Sequence, residues 1–102
     1  MLELKEIICD IKEELVSAED YAYEAMKHRE QYPSLAKLYH RIAEEKMGRV
    51  DDLHREVVAM IDKKRQSGVE VPAAMTAIWD FEHGLMMDEA AEIRHKLEMF
   101  NK

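Results

Sequence analysis

The sequence predicts an all-α fold, three long antiparallel helices forming a bundle that a second copy of the chain completes. Three observations lead there. Only three glycines and two prolines punctuate 102 residues, apolar residues recur at alternating three- and four-residue steps, and the breakers cut the chain into lengths of about 30 residues with short connections. One domain of this size buries one core. At the usual rise of about 1.5 Å per residue, helices of that length run to about 45 Å.

The first helix is expected over about residues 2–31. Leu4, Ile8, Ile11, Leu15, Ala18, Ala22 and Ala25 mark its buried seam, and the small residues in its later half permit close approach of a neighbour. Cys9 falls on the far side of this helix from Ile11. Tyr32-Pro33-Ser34 breaks the pattern, because proline disfavours helical geometry at the residue before it. Ser34 is then placed to cap a second helix over about 34–66. Lys63, Lys64 and Arg65 suit its C-terminal dipole, and Gly68 can end it.

Pro72 suits the first turn of a third helix, expected over about 72–101. Its seam reads Trp79, His83, Met86, Ala90, Ile93, Leu97 and Phe100. His83 on that seam reads first as a hydrogen-bonded core residue, and the Met and aromatic positions as core filler. Ile78, Phe81 and Leu85 lie on a different side from Trp79 and Met86. A helix apolar on two sides needs two covers, and the simplest second cover is another copy, with these three residues at the dimer contact.

Fifteen Lys plus Arg against 22 Asp plus Glu give a formal charge of −7, which disfavours nucleic acid and anionic membranes as partners. A single cysteine cannot form an internal disulfide. The opening MLELKEIICDIKEEL lacks the flank and apolar run of a signal peptide, and no segment approaches the roughly 20 apolar residues of a membrane span. The expectation is a cytoplasmic protein. Phosphate-binding glycine loops, Cys-x-x-Cys pairs and nucleophile-base pairs do not occur in the sequence.

The segment AEEKMGRVDDLH, residues 43–54, carries the most informative pattern. At about 100° per residue, Leu35, Ile42, Val50, Leu53, Val57 and Met60 cluster around a direction that passes through Lys46, with Arg49 at the stripe's border. A lysine so placed asks for an acidic partner. Glu14 and Tyr21 border the first seam and Glu82 and Glu89 the third, which predicts a buried or half-buried cluster of Glu14, Tyr21, Lys46, Arg49 and Glu82.

Glu14-Leu-Val-Ser-Ala-Glu-Asp-Tyr21, followed by Ile42-Ala-Glu-Glu-Lys-Met-Gly-Arg49, resembles the first helical hairpin of the ferritin-like superfamily, especially small rubrerythrin-like proteins of bacteria and their phages. The resemblance spans roughly residues 10–60. It implies a Glu on the first helix and a Glu-x-x-His pair on the second, the latter falling on Lys46 and Arg49. Both ligand positions then carry cations, which donate hydrogen bonds and repel metals. Asp51-x-x-His54 has ligand spacing but points away from the stripe's centre, and Glu92-x-x-His95 lies nearly opposite Trp79.

Two classes of function fit. The favoured one is a non-enzymatic structural or protein-interaction module on a degenerate ferritin-like bundle, with no cofactor, acting as a homodimer. The alternative is an iron-binding or di-metal oxidase protein whose site is assembled from Glu14, Glu45, Glu82, His83 or a partner chain.

Overall fold

Pro33 and Gly68 do most to set where the helices start and stop. The computed structural model describes residues 2–68 and 72–102 and holds three helices, α1 (Leu2–His28), α2 (Pro33–Gln66) and α3 (Ala73–Phe100). The chain is all-helical, with no strand among the described residues. The middle of the second connector lies outside them.

The boundaries follow local chemistry. α1 stops at His28, earlier than the apolar pattern alone suggests, and the Tyr32 amide donates to the His28 carbonyl at 2.8 Å to close the turn. Ser34 does not cap α2. The N-cap is Tyr32, with φ −132° and ψ 69° and no side-chain cap, and the helix begins at Pro33, whose ring presets the backbone angle and whose missing N–H costs nothing in a first turn. At the other end Gly68 takes a φ of 76°, the left-handed region where a side chain is penalised. Its amide donates to the Arg65 carbonyl at 3.3 Å.

Contacts along the chain fix the arrangement as up, down, up. Glu14 meets Lys46 and Tyr21 meets Tyr39, so α2 runs back along α1. His40 meets Leu97 while His54 meets His83, so α3 runs back along α2. The result is a rod of 57 × 20 × 18 Å. No described helix is long and apolar enough to cross a membrane.

α1 and α2 form the tight pair. Ala18, Ala22 and Ala25 of α1 and Ala36 and Ala43 of α2 are fully or almost fully buried, and side chains this small let two helix backbones approach. α3 closes the core with Met86, Ala90, Ile93 and Leu97. At the distal end the Arg29 guanidinium donates to the carbonyls of Met99 and Phe100 at 3.4 and 3.3 Å. A cation there adds a partner to the last carbonyls of α3, of which Met99's also accepts from the Lys102 amide, and suits the helix dipole.

Candidate functional site

The buried stripe of α2 is Ala36, His40, Ala43, Met47, Val50 and Val57. Lys46 therefore lies about 60° from the stripe's centre at about 100° per residue, on the flank facing α1, and is not at the middle of the core as the sequence pattern suggests. Leu35, counted as apolar core by that pattern, is exposed. The alanines and His40 account for the difference. They carry little or ambiguous hydropathy, yet they are the residues that fit closest to the neighbouring helices.

Lys46 Nζ stands 3.5 Å from Glu14 Oε2, and Arg49 approaches the other carboxylate oxygen at 3.6 Å. The Lys46 and Glu14 side chains are 23% and 22% exposed, whereas Arg49 is 60% exposed. Glu14 Oε2 is buried and has no directed hydrogen bond. This is an ion pair sunk to its shoulders at the α1/α2 boundary, with a second cation over it from the solvent side.

The other expected members stand elsewhere. Tyr21 packs on Tyr39 with ring centroids 5.8 Å apart. Glu82 belongs to α1's opposite flank, where Lys12 Nζ lies 2.6 Å from its Oε2. That oxygen is buried and makes no directed hydrogen bond, so the contact is electrostatic. Lys12 and Glu14 differ by about 160° around α1, which separates Glu82 from the Lys46 pair. Glu45 is exposed, 3.8 Å from Arg41. Glu14, Glu45, Glu82 and His83 thus occupy four environments, and among the described residues no three His, Cys, Asp or Glu side chains converge.

The expectation that His54 points away from the buried stripe is overturned, and the Glu89–Glu19 contact is one that the pattern of α3 alone does not show. His54 is half-buried and turned toward α3, with its Nε2 2.9 Å from His83 Nε2. The continuation of the Ala36, His40, Ala43, Met47, Val50 spacing by one step would have found it. Burial and the neighbouring His83 lower its affinity for a proton, against a smaller opposing effect of Asp51. Glu89 faces Glu19, and its carboxyl is pushed above its ordinary range by burial first, then by Glu19 and Glu92.

Ile78, Phe81 and Leu85 are 56%, 67% and 52% exposed. They belong to an apolar face that runs from Ala74 to Leu85. At about 100° per residue, Ala74, Ala77, Ile78, Gly84 and Leu85 all fall within about 60° of Phe81, with Asp80 and Glu82 beyond its borders and Asp88 closing it at the next turn. Gly84 sits mid-helix, and a methyl group placed there would meet nothing within 4 Å. A helical glycine costs about 0.5–1 kcal/mol relative to alanine. Nothing within the chain's own packing offsets that cost.

Comparison with protein-family models, curated proteins and solved structures returns no match. The Glu14 carboxylate, already held between two cations and with no neutral nitrogen donor beside it, does not fit a di-metal carboxylate centre.

Proposed function

We propose that this chain is a non-enzymatic interaction module that works as a homodimer, built on a hairpin that resembles the ferritin-like one with its ligand positions given over to a Glu14–Lys46–Arg49 charge pair. The observation that carries this reading is the apolar outer face of α3, with Phe81 two-thirds exposed and Gly84 opening a gap beside it.

The face complements itself. If two copies of α3 cross antiparallel near Phe81, Ile78 of one copy meets Gly84 of the other, and Ala77 of one meets Leu85 of the other. Phe81 then meets its own copy on the axis while Ile78 and Leu85 each face a small residue, the arrangement by which ridges fill grooves. The partner's Ile78 also supplies the neighbour that Gly84 lacks within its own chain. A different protein as partner would have no reason to match that alternation about a two-fold axis.

Sedimentation velocity across the micromolar range tests this. The expected result is a dimer that Phe81→Glu converts to monomer with unchanged helicity, because Phe81 contributes little to the monomer's core and an introduced charge would have to be desolvated at the contact. A wild-type chain that stays monomeric throughout, or a Phe81→Glu variant that stays dimeric, would overturn the proposal.

A further inference from the structure

His54 on α2 and His83 on α3 place their Nε2 atoms 2.9 Å apart, with the rings 25° from parallel and their centroids 5.0 Å apart. Trp79 lies one turn before His83, its ring tilted against that of His83 with centroids 5.2 Å apart and stacked toward that of His54 at 6.4 Å. Neutral imidazoles in this pose share one proton, one nitrogen donating and the other accepting.

We propose that this pair is a chelating site for a divalent transition ion of tetragonal preference, Cu(II) above all and Ni(II) next, bound through both Nε2 atoms with water in the remaining positions.

The separation selects the ion class. With metal–nitrogen bonds of about 2.0 Å, two ligands at adjacent corners of a square stand about 2.8 Å apart, whereas two corners of a tetrahedron stand about 3.3 Å apart. The observed 2.9 Å matches the edge of the square, and binding turns each ring so that the two lone pairs converge on the ion instead of on each other. Affinity at nitrogen sites also peaks at Cu(II). On binding, the donating ring carries its proton on Nδ1 instead of Nε2, so both Nε2 lone pairs are free for the ion, both rings stay neutral, and no redox step is involved.

The two histidines come from facing helices already fixed by the core, so little order need be created on binding. Asp51 precedes His54 by three residues but is engaged by Arg94; Asp80, exposed, precedes His83 by the same interval. The chain's formal charge of −7 adds a general attraction for cations. This site is separate from the Glu14 pair and does not depend on the dimer.

Trp79 is the chain's single tryptophan, so its fluorescence reports binding at this place and not at the N-terminal amine. The full chain carrying Cys9→Ser, which removes a competing thiol, is titrated with CuCl2 and with NiCl2. The expected result is saturable quenching at one ion per chain, with Cu(II) tighter than Ni(II), and a Cu(II) paramagnetic resonance spectrum showing two nitrogen donors. His54→Gln and His83→Gln should each weaken binding about tenfold or more, while His95→Gln leaves it unchanged. Quenching that never saturates, or that survives both substitutions, overturns the proposal. Should either variant lose helicity, the other and the wild-type spectrum decide, since a spectrum without two nitrogen donors refutes chelation by the pair.

Discussion

Replacing Lys46 by methionine tests whether the half-buried pair with Glu14 holds the α1/α2 boundary together. Methionine keeps an unbranched stem of similar length and removes the charge. At 3.5 Å and an effective dielectric of about 20, the gross attraction is about 4–5 kcal/mol. Most of this is offset by the desolvation of both ions. Two features of the site lower the net loss further: both side chains keep about a fifth of their surface in water, and Arg49 stays 3.6 Å from the same carboxylate. The expected loss is about 1 kcal/mol, between the values for exposed pairs and for broken buried ones. In a domain of this size that lowers Tm by about 4–8 °C. Urea midpoints at one fixed chain concentration provide the assay, in a double-mutant cycle with Glu14→Gln. The double variant should recover most of the loss, giving a coupling near 1 kcal/mol. Glu82→Gln serves as the internal control, because Glu82 pairs with Lys12 and should show no coupling to position 46. A coupling to Glu14 below about 0.3 kcal/mol, within the error of additivity, would refute the reasoning and leave Lys46 as a lysine that merely reaches to water.

Gly84→Gln separates the monomer from the dimer: a better helix former at an open position should stabilise the isolated chain by about 0.5 kcal/mol, seen in thermal melts at nanomolar concentration. The same substitution should weaken the dimer in sedimentation, and an unchanged dimer would remove Gly84 from the contact. Glu89→Gln should stabilise by about 0.5 kcal/mol at pH 7, as expected for relief of a partly exposed like-charge contact. The sign follows from linkage. Glu89 binds its proton more tightly folded than unfolded, its affinity being raised from 4.5, so wild-type stability falls as pH rises from about that value through the raised one. The gain from Glu89→Gln should therefore vanish near pH 4, and a gain independent of pH would point away from the carboxylate charge.

Much of the fold is legible in the sequence because it is local. Pro33, Gly68 and Pro72 act on the backbone within a residue or two of themselves, so three helices and their approximate ends follow from them directly. The α1 seam from Leu4 to Ala25, all buried, is also legible, because its residues alternate strongly enough in hydropathy to define one face. The open side of α3 can be read in the same way, since Ile78, Phe81 and Leu85 depart from the seam that the rest of the helix supplies.

The tertiary structure decided how the helices turn toward one another. Hydropathy gives the angle of a residue about its own helix axis, but a stripe that includes alanines and histidines has no sharp centre, and α2 is such a helix. Close packing of Ala18 and Ala22 with Ala43 and Met47 in one core cluster fixes its rotation, which moves Lys46 to the flank and brings His54 inward. Axial register is equally nonlocal. It assigns Glu82 to Lys12, Arg29 to the end of α3, and His83 to His54, pairings between residues up to 71 positions apart. No periodicity within one helix encodes them, because they follow from how far one packed surface slides along another before its side chains interlock.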